Sequence, residues 1–171
     1  MSLTVYLLPL PTGVAPPTRS AEASAIVAAS RSSEGPVLRR ATSQNGWHSE
    51  LAGSLARAWS IEGLDFLSAE VVVLSPHDAS MAKKAIMTLL EQLEARHVPR
   101  TAEMLGHQWQ CIMSQATLPE ELMVALVMEP VDVNEEHSET SSFVRFLVIV
   151  LNAATEAAER AQHLLYFRRP C

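Results

Sequence analysis

The chain has 171 residues, 48% of them apolar, 19% charged and 5% aromatic, and 13 basic against 19 acidic side chains leave a formal net charge of −6. A chain of this length buries roughly 70% of the surface it exposes when unfolded, so it needs neither a metal nor a disulfide to hold together, and its composition excludes intrinsic disorder. The acidic balance, with adjacent bases only at Arg39-Arg40, Lys83-Lys84 and Arg168-Arg169, argues against a nucleic-acid binder and suits a basic partner reached by electrostatic steering.

Leu3 to Leu8 is β-rich with apolar residues on both faces, which predicts a well-covered strand. Pro9, Pro11, Gly13, Pro16 and Pro17 then impose a proline-rich connector over 9–19. Ser20 is placed to cap a short alanine-rich helix, Ala21 to Arg31. The polar stretch 32–46, with Gly35-Pro36 and Asn45-Gly46, reads as a long mobile loop. Trp47, Leu51, Leu55 and Trp59 recur every four residues and predict a helix to Ser60.

Ala69 to Leu74 is a β-branched run that ends at Ser75-Pro76 and predicts a second strand. Asp78 or Ser80 would cap the next helix, which carries a broad apolar stripe (Met81, Ala85, Met87, Leu89, Leu90, Leu93) and stops near Val98-Pro99. Further helices are expected over 101–114 and, after Thr117, over 119–128. An acidic loop follows at 129–140, and then a closing helix, Ser142 to Gln162, whose apolar residues cover well over half its circumference and so place it centrally. Leu164 to Arg168 would be a third strand, able to pair with the N-terminal one. The expected fold is α+β: a predominantly helical single domain over 1–171 with a small sheet built from strands near 3–8, 69–74 and 164–168.

Met1 to Leu10 is apolar but lacks the basic segment of a signal peptide, and the apolar run Phe143 to Ala154 is broken by Arg145 and Asn152. Cys111 and Cys171 are far apart in sequence, so no disulfide framework is expected. Together these features predict a cytoplasmic protein.

The Ser2-Leu3-Thr4-Val5-Tyr6-Leu7-Leu8 strand, the central Trp47-His48 and the passage through Ala157-Ala158-Glu159-Arg160 into Leu164-Leu165-Tyr166-Phe167 together resemble the layout of the small bacterial YfbM-like proteins. The resemblance covers the ends of the chain, and the proline-rich connector departs from it. It brings no catalytic residues. Some proteins of this kind sit beside secreted toxins, so the resemblance implies a toxin-immunity role.

No cluster of chemistry-bearing residues has a telling spacing. His48, His77, His97, His107, His137 and His163 include no pair two to five residues apart, so no metal site is expected. Ser75, His77 and Asp78 are too close in sequence to aim at one reacting atom and read as a strand-to-helix turn. The six glycines form no phosphate-cradling loop, and no cofactor is expected. Glu50, Glu62, Asp65 and Glu70 read as solvated acids.

The main expectation is therefore a non-enzymatic cytosolic binding protein, of immunity type, that blocks a cognate toxin. Asp132, Glu135, Glu136 and Glu139 would complement a basic toxin domain, and Trp109 would be the apolar anchor. One alternative is a homo-oligomeric (for instance homodimeric) or chaperone-like helical interaction protein, to which the seven methionines lend adaptable packing. The other is an enzyme whose site gathers scattered residues such as Glu50 and His77. No membrane partner is expected.

Overall fold

The structure is a computed structural model describing residues 2–31, 37–44, 47–95 and 139–170. Among these, the strands β1 (Ser2–Leu10), β2 (Arg39–Gln44), β3 (Val71–Leu74) and β4 (His163–Pro170) form one antiparallel sheet in the order β2-β1-β4-β3. The helices α1 (Ser20–Ser30), α2 (Trp47–Ala58), α3 (Pro76–Ala95) and α4 (Glu139–Glu159), with a 3-10 turn at Asp65–Ser68, complete an α+β fold.

Alternation along the strands divides the sheet into two apolar faces. Val5, Leu7, Leu164, Tyr166 and Leu74 point into the larger core, which α2, α3, α4 and the 3-10 turn cover. Tyr6, Leu8, Leu10, Leu165 and Phe167 point the other way, where Ala23 and Val27 of α1 cover them. The sequence expectation that β1 is covered on both sides therefore holds, as does its pairing with β4, which runs in register from Leu3 opposite Pro170 to Leu10 opposite His163. Pro9 does not end β1. Its pairing with β2 extends only from Ser2 to Leu7, so at Pro9 the strand serves β4 alone, a position where a missing N–H is tolerated.

Several boundaries differ from the sequence reading. Residues 39–44 are a strand, not part of a loop. Arg39-Arg40-Ala41-Thr42-Ser43-Gln44 lacks apolar alternation because β2 is an edge strand, where charged residues belong; Ala41 is its contribution to the larger core. Ser20 is the first residue of α1, not its cap: Arg19 holds the cap position, and Glu22 in the first turn accepts from the Thr18 N–H at 2.9 Å. Helix α3 starts at Pro76, and its cap is Ser75. The Ser75 hydroxyl accepts from the Asp78 N–H at 3.1 Å while the Asp78 carboxylate accepts from the Ser75 hydroxyl at 2.8 Å, a reciprocal arrangement that satisfies the first turn.

Helix α4 starts three residues earlier than expected and is not buried all round. Phe143, Phe146, Leu147, Val150, Ala153, Ala154 and Ala157 form one buried stripe facing the core, while Val148 is exposed. The expected helices at 101–114 and 119–128 and the acidic loop up to 138 lie outside the described residues.

Helices α2 and α4 end in the same way. The Ile61 N–H donates to the Ala56 carbonyl at 2.8 Å and the Ser60 N–H to that of Arg57 at 3.3 Å. The Gln162 N–H donates to Ala157 at 2.9 Å and the Ala161 N–H to Ala158 at 3.3 Å. Both are Schellman closures, and each places a residue other than glycine in the left-handed region, Ser60 at φ 54° and Ala161 at φ 51°. A side chain there costs about 1–2 kcal/mol, part of which glycine returns as chain entropy on unfolding. Ala161→Gly is therefore expected to stabilise the fold by about 0.5–1 kcal/mol, read as a rise in denaturation midpoint at unchanged m-value.

Candidate functional site

Of the residues the sequence nominated for partner contact, Trp109, Asp132, Glu135 and Glu136 lie outside the described residues, and Glu139 is the first residue of α4. Ser75 and Asp78 are occupied with capping α3, and His77 beside them is exposed, so this trio is a helix start. Glu50, Glu62, Asp65 and Glu70 are all exposed, and the Glu70 carboxylate accepts from the Ser20 hydroxyl, tying the start of α1 to the start of β3. Among the described residues, no three His, Cys, Asp or Glu side chains gather in a way that would hold a metal.

Among the described residues, two titratable side chains are shifted by burial. His48 on α2 is 4% exposed, with its ring 5.8 Å from that of Phe146 and 6.1 Å from that of Phe143. Desolvation lowers its pKa to about 4, so it is neutral at neutral pH and built into the core. Tyr166 is fully buried against Phe66, edge-on at 5.3 Å, and its hydroxyl donates to the Leu67 carbonyl at 3.0 Å. Burial raises its pKa to about 12, against the opposing effects of Arg168 and a hydrogen bond with Ser49. Both residues are packed into the larger core and help hold the structure together.

Among the described residues, a groove of about 360 Å³ opens between the end of α2 and one side of α3. The Schellman closure of α2 turns the chain so that Trp59, Ser60, Ile61 and Glu62 form one wall. Met81, Lys84, Ala85, Thr88 and Gln92, spaced at helical intervals along α3, form the other. Gly63 brings the walls together. It has φ +99°, and a side chain there would meet the Met81 carbonyl at 3.4 Å and the Ala85 side chain at 3.6 Å.

Trp59 and Ile61 back onto the larger core, so the indole is held by packing on one side and presented on the other. Met81, which lines the groove, is 39% exposed. The groove thus has an apolar floor and a rim carrying one carboxylate, Glu62, and one ammonium, Lys84. The sequence did carry a sign of it. The apolar stripe of α3 is wider than one buried face requires: Ala79, Ala82, Ile86 and Leu89 fill the core, while Met81 stays exposed and lines the groove.

Compared with family models, with curated proteins and with solved structures, the chain has no match in any of the three.

The neutral, buried His48 makes stability depend on pH. Its folded pKa of about 4 lies below the ordinary 6.5, so between those values the unfolded chain binds more protons and folding weakens as pH falls. The contribution is fully present above pH 6.5 and lost by about pH 4, amounting to at most about 3 kcal/mol. Urea unfolding at pH 7.5, 6, 5 and 4 should show this decline, and His48→Leu should flatten it over that window whatever it does to stability at pH 7.5.

Proposed function

We propose that this chain is a non-enzymatic binding protein that seats a segment of a protein partner in the groove between the end of α2 and α3, and that it is an immunity-type protein blocking a basic toxin domain in the cytoplasm. The observation that carries the binding reading is the pairing of Trp59 and Met81 across an open groove. A rigid, half-buried indole anchors a partner side chain at little entropic cost, and a thioether adapts to its shape. The toxin-blocking form of the reading draws its support from the net charge of −6, which steers a basic partner toward the surface and repels other acidic proteins. The resemblance of the sequence layout to YfbM-like proteins is the other ground for this form of the reading. With no helix among the described residues long and apolar enough to cross a membrane, the reading requires no membrane partner.

The test is calorimetry between the purified chain and the product of the adjacent reading frame, at low and at high salt. A 1:1 complex that weakens as salt rises is expected. Trp59→Ala should weaken it by at least tenfold, in the range of interface anchors, and Gly63→Val, which crowds α3, should do the same. A complex indifferent to both substitutions would move the contact surface elsewhere, and no complex with that product would end the immunity reading.

A further inference from the structure

Across the sheet from the groove, the α1 side of the molecule carries a chemically different opening. A cavity of about 60 Å³ lies where the C-terminal end of α1 crosses the sheet; Tyr6, Ser24, Arg31 and Arg169 give it its polar groups, and Val27 and Phe167 its apolar floor. Tyr6 is 8% exposed and stacked on Phe167 with ring centroids 6.0 Å apart, which fixes its hydroxyl. Arg31 Nη2 donates to that hydroxyl at 3.2 Å, and the guanidinium carbon lies 5.7 Å from the Tyr6 ring centroid. One guanidinium is thus oriented before anything binds, by a hydrogen bond and a cation–π contact together.

The sheet register adds a third arginine. Arg40 is directly opposite Tyr6 on β2, and Arg169 is opposite Thr4 on β4. Opposed residues share a face, so Arg40 and Arg169 flank Tyr6 on the side of the sheet that faces α1. The ion pairs among the described residues both use Glu156, with Arg39 and with Arg160, and neither involves Arg31, Arg40 or Arg169. Of the carboxylates nearby, Glu22 is committed to Thr18 and Glu70 to Ser20, both at the other end of α1. In a chain of net charge −6, three cations gathered around one small polar cavity are not explained by the fold.

We propose that the cavity bounded by Tyr6, Ser24, Arg31 and Arg169, with Arg40 beside it, binds a phosphate group. A carboxylate carries one charge and is satisfied by one guanidinium fork, whereas a phosphate dianion has the charge and the oxygens to engage two or three. The hydroxyls of Tyr6 and Ser24 donate to the remaining oxygens. The cavity holds a single such group and no more, since the rings of Tyr6 and Phe167 are stacked on each other and closed to a base or a sugar. This site lies across the sheet from the groove and stands or falls independently of it.

The experiment is calorimetric titration of the full chain with inorganic phosphate, at ionic strength held constant with sodium chloride. One phosphate per chain with a Kd of about 1 mM or tighter is expected, with sulfate competing and acetate binding at least tenfold more weakly. Arg31→Gln and Arg169→Gln should each weaken binding at least fivefold, and Tyr6→Phe, which keeps the ring stack, about threefold. Phenyl phosphate separates two sources: binding as tight as phosphate assigns the site to a phosphate monoester, and exclusion assigns it to the free anion. Phosphate heats no larger than those of chloride, acetate binding as tightly as phosphate, or phosphate binding that survives both arginine substitutions would overturn the proposal, provided circular dichroism shows the variants folded.

Discussion

Everything in this molecule hangs on one long-range pairing. Strand β4 lies between β1 and β3 and hydrogen-bonds to both, and its register with β1 runs unbroken from Leu3 opposite Pro170 to Leu10 opposite His163. The two strands bring together residues more than 150 positions apart, so loop-closure entropy is spent before either face of the sheet has anything to pack. What offsets it is that both faces are then buried at once. Leu7, Leu164 and Tyr166 close one core, and Leu8, Leu165 and Phe167 close the other. A sheet apolar on both faces has a weakness, however. Sliding one strand by a residue exchanges one apolar set for another, so hydrophobic pattern alone does not fix the register.

Polar contacts remove that ambiguity. The Tyr166 hydroxyl reaches the Leu67 carbonyl at 3.0 Å only if Tyr166 faces the helical layer; slipped by one position, the phenol would lose that acceptor and the carbonyl its donor, at about 1–3 kcal/mol for an unsatisfied buried group. With its pKa pushed up to about 12, the phenol keeps its proton under any ordinary condition. Arg39 of β2 binds Glu156 of α4, whose side chain is 10% exposed, and Arg160 joins the same carboxylate at 3.0 Å. Because Arg39 must face α4 to do so, the pair sets the phase of the edge strand as Tyr166 sets that of the centre. The same alternation then sends Arg40 to the other face, so the register that secures the fold also gathers the arginines around Tyr6.

Much of this arrangement was legible from the residues. β-Branched and apolar runs marked β1, β3 and β4, and the four-residue spacing of Leu51, Leu55 and Trp59 marked α2, because in those segments burial on the core side leaves a periodic trace. β2 left none, since an edge strand with Ala41 as its inward residue looks like polar loop. The left-handed residues Ser60 and Ala161 were equally silent, as the usual glycine is missing from both closures. The groove was half visible, in the surplus width of the apolar stripe on α3, but the turn that supplies its other wall depends on Gly63 approaching α3, which no local pattern encodes. The arginine cavity was hidden because Tyr6, Arg31, Arg40 and Arg169 are scattered in sequence and meet only through sheet pairing and the crossing of α1. The acidic segment and Trp109, on which the sequence reading placed partner contact, fall outside the described residues.

The central position of β4 also bears on how the chain is made. A ribosome delivers residues in order, and until 163–170 emerge, β1 and β3 have nothing between them. β1 is apolar on both faces, and Val71-Val72-Val73-Leu74 is a β-branched run with its partner edge open. Helices α2 and α3 can form meanwhile, but they have no completed sheet to pack on. Until β4 is made, the chain can therefore hold helices and the β1–β2 pair, but β3 and the second edge of β1 have no partner. Insertion of β4 then covers the facing edges of both β1 and β3, which no other strand can do.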